Sequence, residues 1–98
     1  MSMFIIIEHS TETPIQKAGL NYPFKTYNGT VEALISSLKD NCELECDGTN
    51  GGYEIHVPDS DETLEHETEI RDAMKTARSL VVDHGDYEVR YDIVELLP

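Results

Sequence analysis

The sequence is poor in positive charge: seven lysines and arginines stand against twenty aspartates and glutamates, a formal net charge of −13. The imbalance is uneven along the chain. Residues 1–41 hold four carboxylates against three lysines, whereas residues 42–98 hold sixteen carboxylates against four cations. A surplus of this size opposes compaction through self-repulsion. An acidic surface is also repelled by phosphate backbones and anionic lipids, so we expect no direct binding to nucleic acid or to a membrane.

Long apolar runs are lacking as well. The longest apolar cluster, Met3 to Ile7, is far too short to cross a bilayer, and the N-terminus has no basic region leading into a secretory signal. A hydrophobic content of 39% still allows a core, and 98 residues are typical of one domain. We therefore expect a single acidic α+β domain over residues 1–98, located in the cytoplasm, or in the host cytoplasm if a phage encodes it.

Cysteine is scarce, and the two that are present lie four positions apart, at Cys42 and Cys46. In an extended chain that separation is roughly 13 Å, well beyond the limit of about 7 Å for a disulfide. We predict that both thiols are reduced and are buried on the same strand face as Leu44. Since no further close pair of cysteines or histidines is present, we expect neither a metal nor a cofactor.

Apolar periodicity predicts the secondary structure. Thr30 caps a helix whose apolar residues recur at helical spacing up to Leu38, and two alternating segments flank a glycine-rich turn as a hairpin does. In chain order, the predicted elements are strand 3–7, a helix after Thr30 that closes at 40–41, strands 42–46 and 53–57, a helix opening at 58–62 and ending near 83, and strand 87–97.

This order, β-α-β-β-α-β, predicts a ferredoxin-like plait, in which two helices cover one face of a four-stranded antiparallel sheet. Residues 10–29 would form an irregular inserted segment after the first strand. That strand would be central, so one of its two alternating apolar sets should emerge on the helix-free face of the sheet. We assign Phe4 and Ile6 to the emerging set.

The carboxylates fall into two predicted surfaces. Four of them share one stripe on the second helix: Glu62, Glu65, Glu69 and Asp72. Five more share the helix-free face of the sheet, with His56 and Arg90 among them: Glu43, Glu45, Glu54, Glu88 and Asp92. An apolar strip framed by acids is typical of a specific protein interface, with anchors at the centre and charge at the rim.

No catalytic signature accompanies these surfaces. Each of the four histidines, His9, His56, His66 and His84, is expected to be structural, and the protein is not expected to be an enzyme. We predict an inhibitor that occludes a basic surface of another protein, most plausibly the nucleic-acid groove of an enzyme. In size and charge the chain is similar to phage-encoded anti-restriction and anti-CRISPR proteins that act as DNA mimics, and the similarity extends to no motif.

Four alternatives stay open. An immunity protein or antitoxin that neutralises a basic toxin would need the same surface. A regulatory domain could instead form a homodimer, or bind a small ligand, through its sheet face. The acids could also be a solvated face that only aids solubility. Halophilic adaptation predicts acidity over the whole surface, which the nearly neutral residues 1–41 disfavour.

Overall fold

The fold is α+β, with one antiparallel sheet and two helices. A computed structural model of the protein describes residues 2–10, 17–18 (backbone only) and 23–96. Within these residues, the elements are β1 (Met3–Ser10), β2 (Lys17–Ala18), α1 (Tyr27–Asp40), β3 (Glu54–His56), α2 (Glu67–Ala73), β4 (Ser79–Asp83) and β5 (Glu88–Leu96). Neither described helix is long and apolar enough to cross a bilayer.

The sheet is open, and its strands lie in the order β2-β1-β5-β4-β3, with every neighbouring pair antiparallel. Because β2 has only two residues, the sheet has four main strands. The predicted element order is wrong. The structure has β-β-α-β-α-β-β, and its hairpin is formed by β4 and β5 rather than by the segments 42–46 and 53–57.

The first strand was predicted correctly as a strand inside the sheet. Its run of β-branched residues favours extended backbone, and β1 pairs with β5 along its whole length. Phe4 and Ile6 point towards the helices and are only 9% and 2% exposed, so their assignment to the helix-free face is wrong. Because side chains alternate along a strand, the opposite set is the one that emerges there.

Helix α1 begins one turn earlier than predicted. Thr26, not Thr30, is its N-cap, and the Thr26 hydroxyl accepts a hydrogen bond from the Gly29 backbone at 3.0 Å. Thr30 lies inside the helix and is buried, where its hydroxyl donates to the Thr26 carbonyl. The predicted apolar face is confirmed, since four residues at helical spacing are buried against the sheet: Val31, Leu34, Ile35 and Leu38.

Residues 41–53 form a compact loop instead of the first arm of a hairpin. Cys42 has a φ of 62°, the left-handed conformation that reverses the chain after a helix, and it sends Glu43 inwards. The Asn50 amide then donates to the carbonyls of Tyr53 and Leu64. Cys42 and Cys46 are both exposed, so the prediction that they are buried is wrong.

Helix α2 is much shorter than predicted. It covers only Glu67–Ala73, and residues 79–83 form strand β4. The run Leu80-Val81-Val82 contains adjacent β-branched residues, which favour a strand, and all three are buried. Residues 61–65 ahead of the helix belong to no helix or strand, and the Leu64 amide donates to the Ile55 carbonyl at 2.7 Å beside β3.

The hydrophobic core lies between one face of the sheet and both helices. Ile70 and Met74 of the α2 region join the α1 residues above the sheet residues Ile55, Leu80 and Tyr91. The inserted segment is not wholly irregular: β2 lies beside β1, and Tyr27 to Gly29 belong to α1. The predicted short helical turn at residues 13–19 falls largely outside the described residues.

Candidate functional site

The helix-free face is the side of the sheet turned away from α1 and α2. Cross-strand partners point to the same side of an antiparallel sheet, so the register identifies its residues. Row by row, they are Glu54-Asp83-Glu88, then His56-Val81-Arg90-His9, then Ser79-Asp92-Ile7, then Val94-Ile5, and finally Leu96-Met3. Polarity therefore changes from acidic at one end to apolar at the other.

The carboxylate row comprises Glu54, Asp83 and Glu88, which face one another across β3, β4 and β5. Strands lie about 4.8 Å apart, so the row is roughly 10 Å long. Like charges directly opposite in a sheet are destabilising. Among the described residues, neither Glu54 nor Asp83 forms an ion pair, and Asp83 accepts only a hydrogen bond from the Gly85 backbone at 2.8 Å.

The middle of the helix-free face is polar but internally satisfied. Asp92 lies 2.9 Å from His9 Nε2 and 3.0 Å from Arg90 Nε, and the Ser79 hydroxyl also donates to it. Burial opposes ionisation of Asp92, but the hydrogen bonds from Ser79 and Arg90 outweigh burial and lower its pKa. Asp92 is thus a charged carboxylate whose acceptor sites are already partly filled.

The apolar end of the helix-free face comprises Met3, Ile5, Val94 and Leu96. Leu96 is 41% exposed, and the other three are half-buried, in contrast to the almost fully buried Ile6 and Ile93 on the opposite face. Neither helix covers this end, because both pack against the other side of the sheet. An apolar patch is therefore present on this face, but it consists of other residues than the predicted Phe4 and Ile6, and the row of three carboxylates lies at the opposite end instead of framing it.

Two acids predicted for the sheet lie elsewhere. Glu54, Glu88 and Asp92 do share the helix-free face, as predicted. Glu45 is exposed in the loop after α1, because residues 42–46 are not a strand. Glu43 is only 2% exposed and is part of the protein interior, so its placement on an outer surface is wrong.

The four acids predicted to form a stripe on the second helix do not all lie on a helix, but most of them do share one surface. Glu62 and Glu65 precede α2, and only Glu69 and Asp72 lie on its turns. Glu62, Glu69 and Asp72 nevertheless line one groove of about 390 Å³. The Glu65 amide donates to Glu69 Oε1 at 3.3 Å, which keeps the fourth member beside the others.

In the described part of the chain, the lysines and arginines form ion pairs mainly with carboxylates on the two helices. Lys39 and Arg71 both bind Glu67, at 2.7 and 3.1 Å, and Arg71 also binds Glu32 at 2.6 Å. These contacts lower the pKa of Glu67, first through the hydrogen bond from Lys39 and then through that from Arg71. The remaining pairs are Lys75–Asp72, Arg78–Glu95 and Arg90–Asp92.

Many exposed acids consequently keep their charge uncompensated. In the described part of the chain, no ion pair is formed by Glu45, Asp47, Asp59, Asp61, Glu62, Glu65 or Asp86, in addition to Glu54 and Asp83. The acids without an ion pair are therefore concentrated in the loops after α1 and β3, with Glu54 and Asp83 beside them on the sheet. The helix pair is the better-compensated part.

A buried polar cluster escaped the sequence analysis. Glu43 Oε1 accepts a hydrogen bond from the Tyr91 hydroxyl at 2.7 Å, and Glu43 Oε2 lies 2.6 Å from His84 Nε2. Burial, reinforced by the hydrogen bond to Glu43, raises the pKa of Tyr91. The His84 ring stacks on Tyr87 and also contacts Tyr53. The one signal in the sequence for this cluster was Tyr91 itself, because a tyrosine hydroxyl that faces the core needs a hydrogen-bond partner.

The comparisons with known proteins return nothing. No protein-family model matches this chain, no curated protein matches its sequence, and no solved structure matches its fold.

Proposed function

We propose that this protein is a non-catalytic binding protein that docks its helix-free face onto a basic surface of another protein, namely the nucleic-acid groove of an enzyme. The observation that carries the proposal is the composition of that face. Apolar side chains emerge at one end of it, and a row of three carboxylates stands at the other. Both are presented on regular strands, which hold their spacing.

The two ends of the face have different roles in binding. Burial of Ile5, Val94 and Leu96 would provide a desolvated centre, which supplies most of the binding energy in protein interfaces. The carboxylate row, together with the acidic loops beside it, would steer a basic partner and set its orientation. Association should therefore be fast at low ionic strength and slow down as salt screens the charges.

A basic partner suits this face better than a second copy of the chain. A two-fold symmetric dimer brings the same patch of both subunits together. Each chain has a formal net charge of −13, so a dimer through the helix-free face would bring two strongly negative surfaces into contact. A basic surface removes this repulsion and also provides partners for Glu54 and Asp83, which form no ion pair within the described residues.

The test is binding to purified nucleic-acid enzymes with basic grooves, such as RNA-guided nucleases and restriction enzymes, at low and high salt. Reversing Glu54 and Glu88 together to lysine should weaken binding at least tenfold, about 1.4 kcal/mol or more. Ile5→Ser should also weaken binding, but its effect should persist at high salt because an apolar contact is not screened.

The matched control is the double variant Asp59→Lys, Asp61→Lys, which makes the same change in net charge in the loop after β3. It should reduce the association rate moderately and leave the dissociation rate almost unchanged. Equal losses in both double variants would show that only the net charge matters. Binding that does not depend on salt, or no binding to any basic enzyme, would contradict the proposal.

An immunity protein or antitoxin would use the same contacts towards a basic toxin. Light scattering separates both from a homodimer, since a stable dimer abolished by Ile5→Ser would assign the face to self-association. If a cognate toxin binds with the same dependence on Glu54 and Glu88, the proposed docking surface stands and only the identity of the partner changes.

A further inference from the structure

A row that contains two histidines crosses the helix-free face directly beside the carboxylate row. Its members are His56, Val81, Arg90 and His9, which face one another across β3, β4, β5 and β1. Strands lie about 4.8 Å apart, so the row is roughly 14 Å long. It separates the carboxylate row from the apolar end, and it therefore lies inside the docking surface proposed above.

Both histidines can gain a proton without losing the contact that holds them. His9 Nε2 lies 2.9 Å from Asp92, and His56 Nδ1 lies 2.9 Å from the Val57 carbonyl. Because a carbonyl oxygen only accepts, Nδ1 of His56 carries the hydrogen, and Nε2 is the nitrogen that takes up a further proton. A protonated His9 still donates to Asp92. Protonation therefore adds positive charge to the face and leaves both contacts in place.

The charge balance of the helix-free face depends on these two rings. Its other charged groups in the described part of the chain are Glu54 on β3, Asp83 on β4, and Glu88, Arg90 and Asp92 on β5. With neutral histidines, four carboxylates stand against one arginine, and with protonated histidines they stand against three cations. Carboxylates in general titrate near pH 4, whereas histidine is the side chain that changes charge between pH 5 and 8.

We infer that docking is pH-dependent and that protonation of His9 and His56 weakens binding of the basic partner, an inference that rests on the proposed function. Neighbouring rows on one face of a sheet are about 7 Å apart, so a cation that lies over the carboxylate row also lies close to the histidines. Repulsion between two charges at that distance in water changes an affinity about threefold. Two protonated rings should therefore weaken binding about tenfold, and the affinity should fall as the pH falls.

The experiment measures binding of acetylated hexa-arginine amide to the full chain by calorimetric titration, at about pH 8 and about pH 5.5 and at one low ionic strength. The probe keeps its charge because arginine does not lose its proton. The native chain should bind it about tenfold more weakly at the lower pH. In the double variant His9→Gln, His56→Gln, the ratio of the two affinities should shrink to less than about threefold, because glutamine does not titrate.

His66→Gln is the matched control, because His66 is exposed at the start of α2 and lies outside the helix-free face. It should leave the tenfold ratio almost unchanged. A second measurement needs only the native chain at about pH 6.5. Because linkage between two bound species is reciprocal, the probe should move the imidazole NMR signals of His9 and His56 towards those of the neutral ring, and those of His66 much less.

Equal affinities of the native chain at the two pH values would overturn the inference, and so would a tenfold ratio that survives in the folded double variant. If circular dichroism shows that the double variant is unfolded, imidazole signals that do not respond to the probe overturn it. If the probe binds equally at both pH values, and more weakly after reversal of Glu54 and Glu88 to lysine, the docking surface stands without pH dependence. If the probe binds at neither pH, both the inference and the proposed function fail.

Discussion

The buried Glu43–Tyr91 hydrogen bond leads to a quantitative prediction for stability. Glu43 and Tyr91 are each only 2% exposed, and the Tyr91 hydroxyl donates to Glu43 Oε1 at 2.7 Å. Tyr91→Phe removes this one oxygen and leaves Glu43, in the described part of the chain, with His84 as its remaining hydrogen-bond partner. Because a buried polar group that loses its partner costs about 1–3 kcal/mol, we expect a loss of about 2 kcal/mol in the free energy of unfolding.

A double-mutant cycle isolates the interaction. Glu43→Leu removes the shared partner of Tyr91 and His84, and it should itself destabilise the protein because both partner groups then lose a hydrogen bond. In that background the Tyr91 hydroxyl loses its acceptor, so Tyr91→Phe should become neutral or slightly stabilising. The coupling free energy should therefore be about 1–3 kcal/mol, the cost of leaving a buried hydrogen-bonding group without its partner.

The assay is urea unfolding at neutral pH followed by circular dichroism, with the slopes checked for equality. Tyr87→Phe is the matched control, since within the described residues the Tyr87 hydroxyl makes no hydrogen bond, and the variant keeps the ring that stacks on His84 and packs against the core. Its effect should stay within about 0.5 kcal/mol. A Tyr91→Phe loss no larger than the Tyr87→Phe loss would refute the buried cluster as a source of stability.

Two further predictions concern backbone strain and acid stability. Cys42→Gly should stabilise the protein by up to about 1 kcal/mol in urea unfolding, because glycine adopts the φ of 62° without strain. Cys46→Gly should destabilise it by about 0.4–1 kcal/mol, because glycine raises the conformational entropy of the unfolded chain. The lowered pKa of Asp92 makes its hydrogen bonds with Ser79 and Arg90 contribute stability above the ordinary value of 3.8, and this contribution is lost as the pH falls through the lowered pKa. The stability difference between the native chain and Asp92→Asn should therefore be largest near neutral pH and should shrink below pH 3.8.

Two results would contradict these predictions. Destabilisation by Cys42→Gly as large as that by Cys46→Gly would show that the left-handed residue carries no strain. A difference between the native chain and Asp92→Asn that stays constant down to the acid transition would show that the Asp92 carboxylate does not gain its stability from the ionised form.

The regular apolar patterns in the sequence were good predictors of local structure. The continuous run after Ser2 forms β1, the helical spacing from Val31 to Leu38 forms the buried face of α1, and alternation around Tyr91 forms β5. In each case one period dominates over the whole element. Alternation also predicted correctly that Glu54, Glu88 and Asp92 lie on the same face of the sheet, although the pairing of the strands was predicted incorrectly.

Competing patterns explain where the prediction failed. Residues 42–46 alternate apolar and polar side chains as a strand does, but the left-handed Cys42 and the hydrogen bonds of Asn50 hold them in a loop. Ile70, Met74 and Val81 fit helical spacing, yet the chain leaves the helix after Ala73 because Leu80 to Val82 fill the centre of the sheet. The choice between the two apolar sets of β1 depends on where the helices pack, which alternation does not specify.

Composition and short-range periodicity alone determined that this is an acidic α+β chain with a β1 strand, an amphipathic first helix and a last strand, because those properties depend on neighbouring residues. Tertiary structure decided which strands pair, which side of β1 is free, and that Glu43 lies beneath Tyr91 and His84 rather than on the surface. The Glu43 contacts join residues 41 and 48 positions apart, and β1 pairs with β5 from the other end of the described chain. Burial and hydrogen bonding at such distances are set by the packing of the whole core and not by any local pattern.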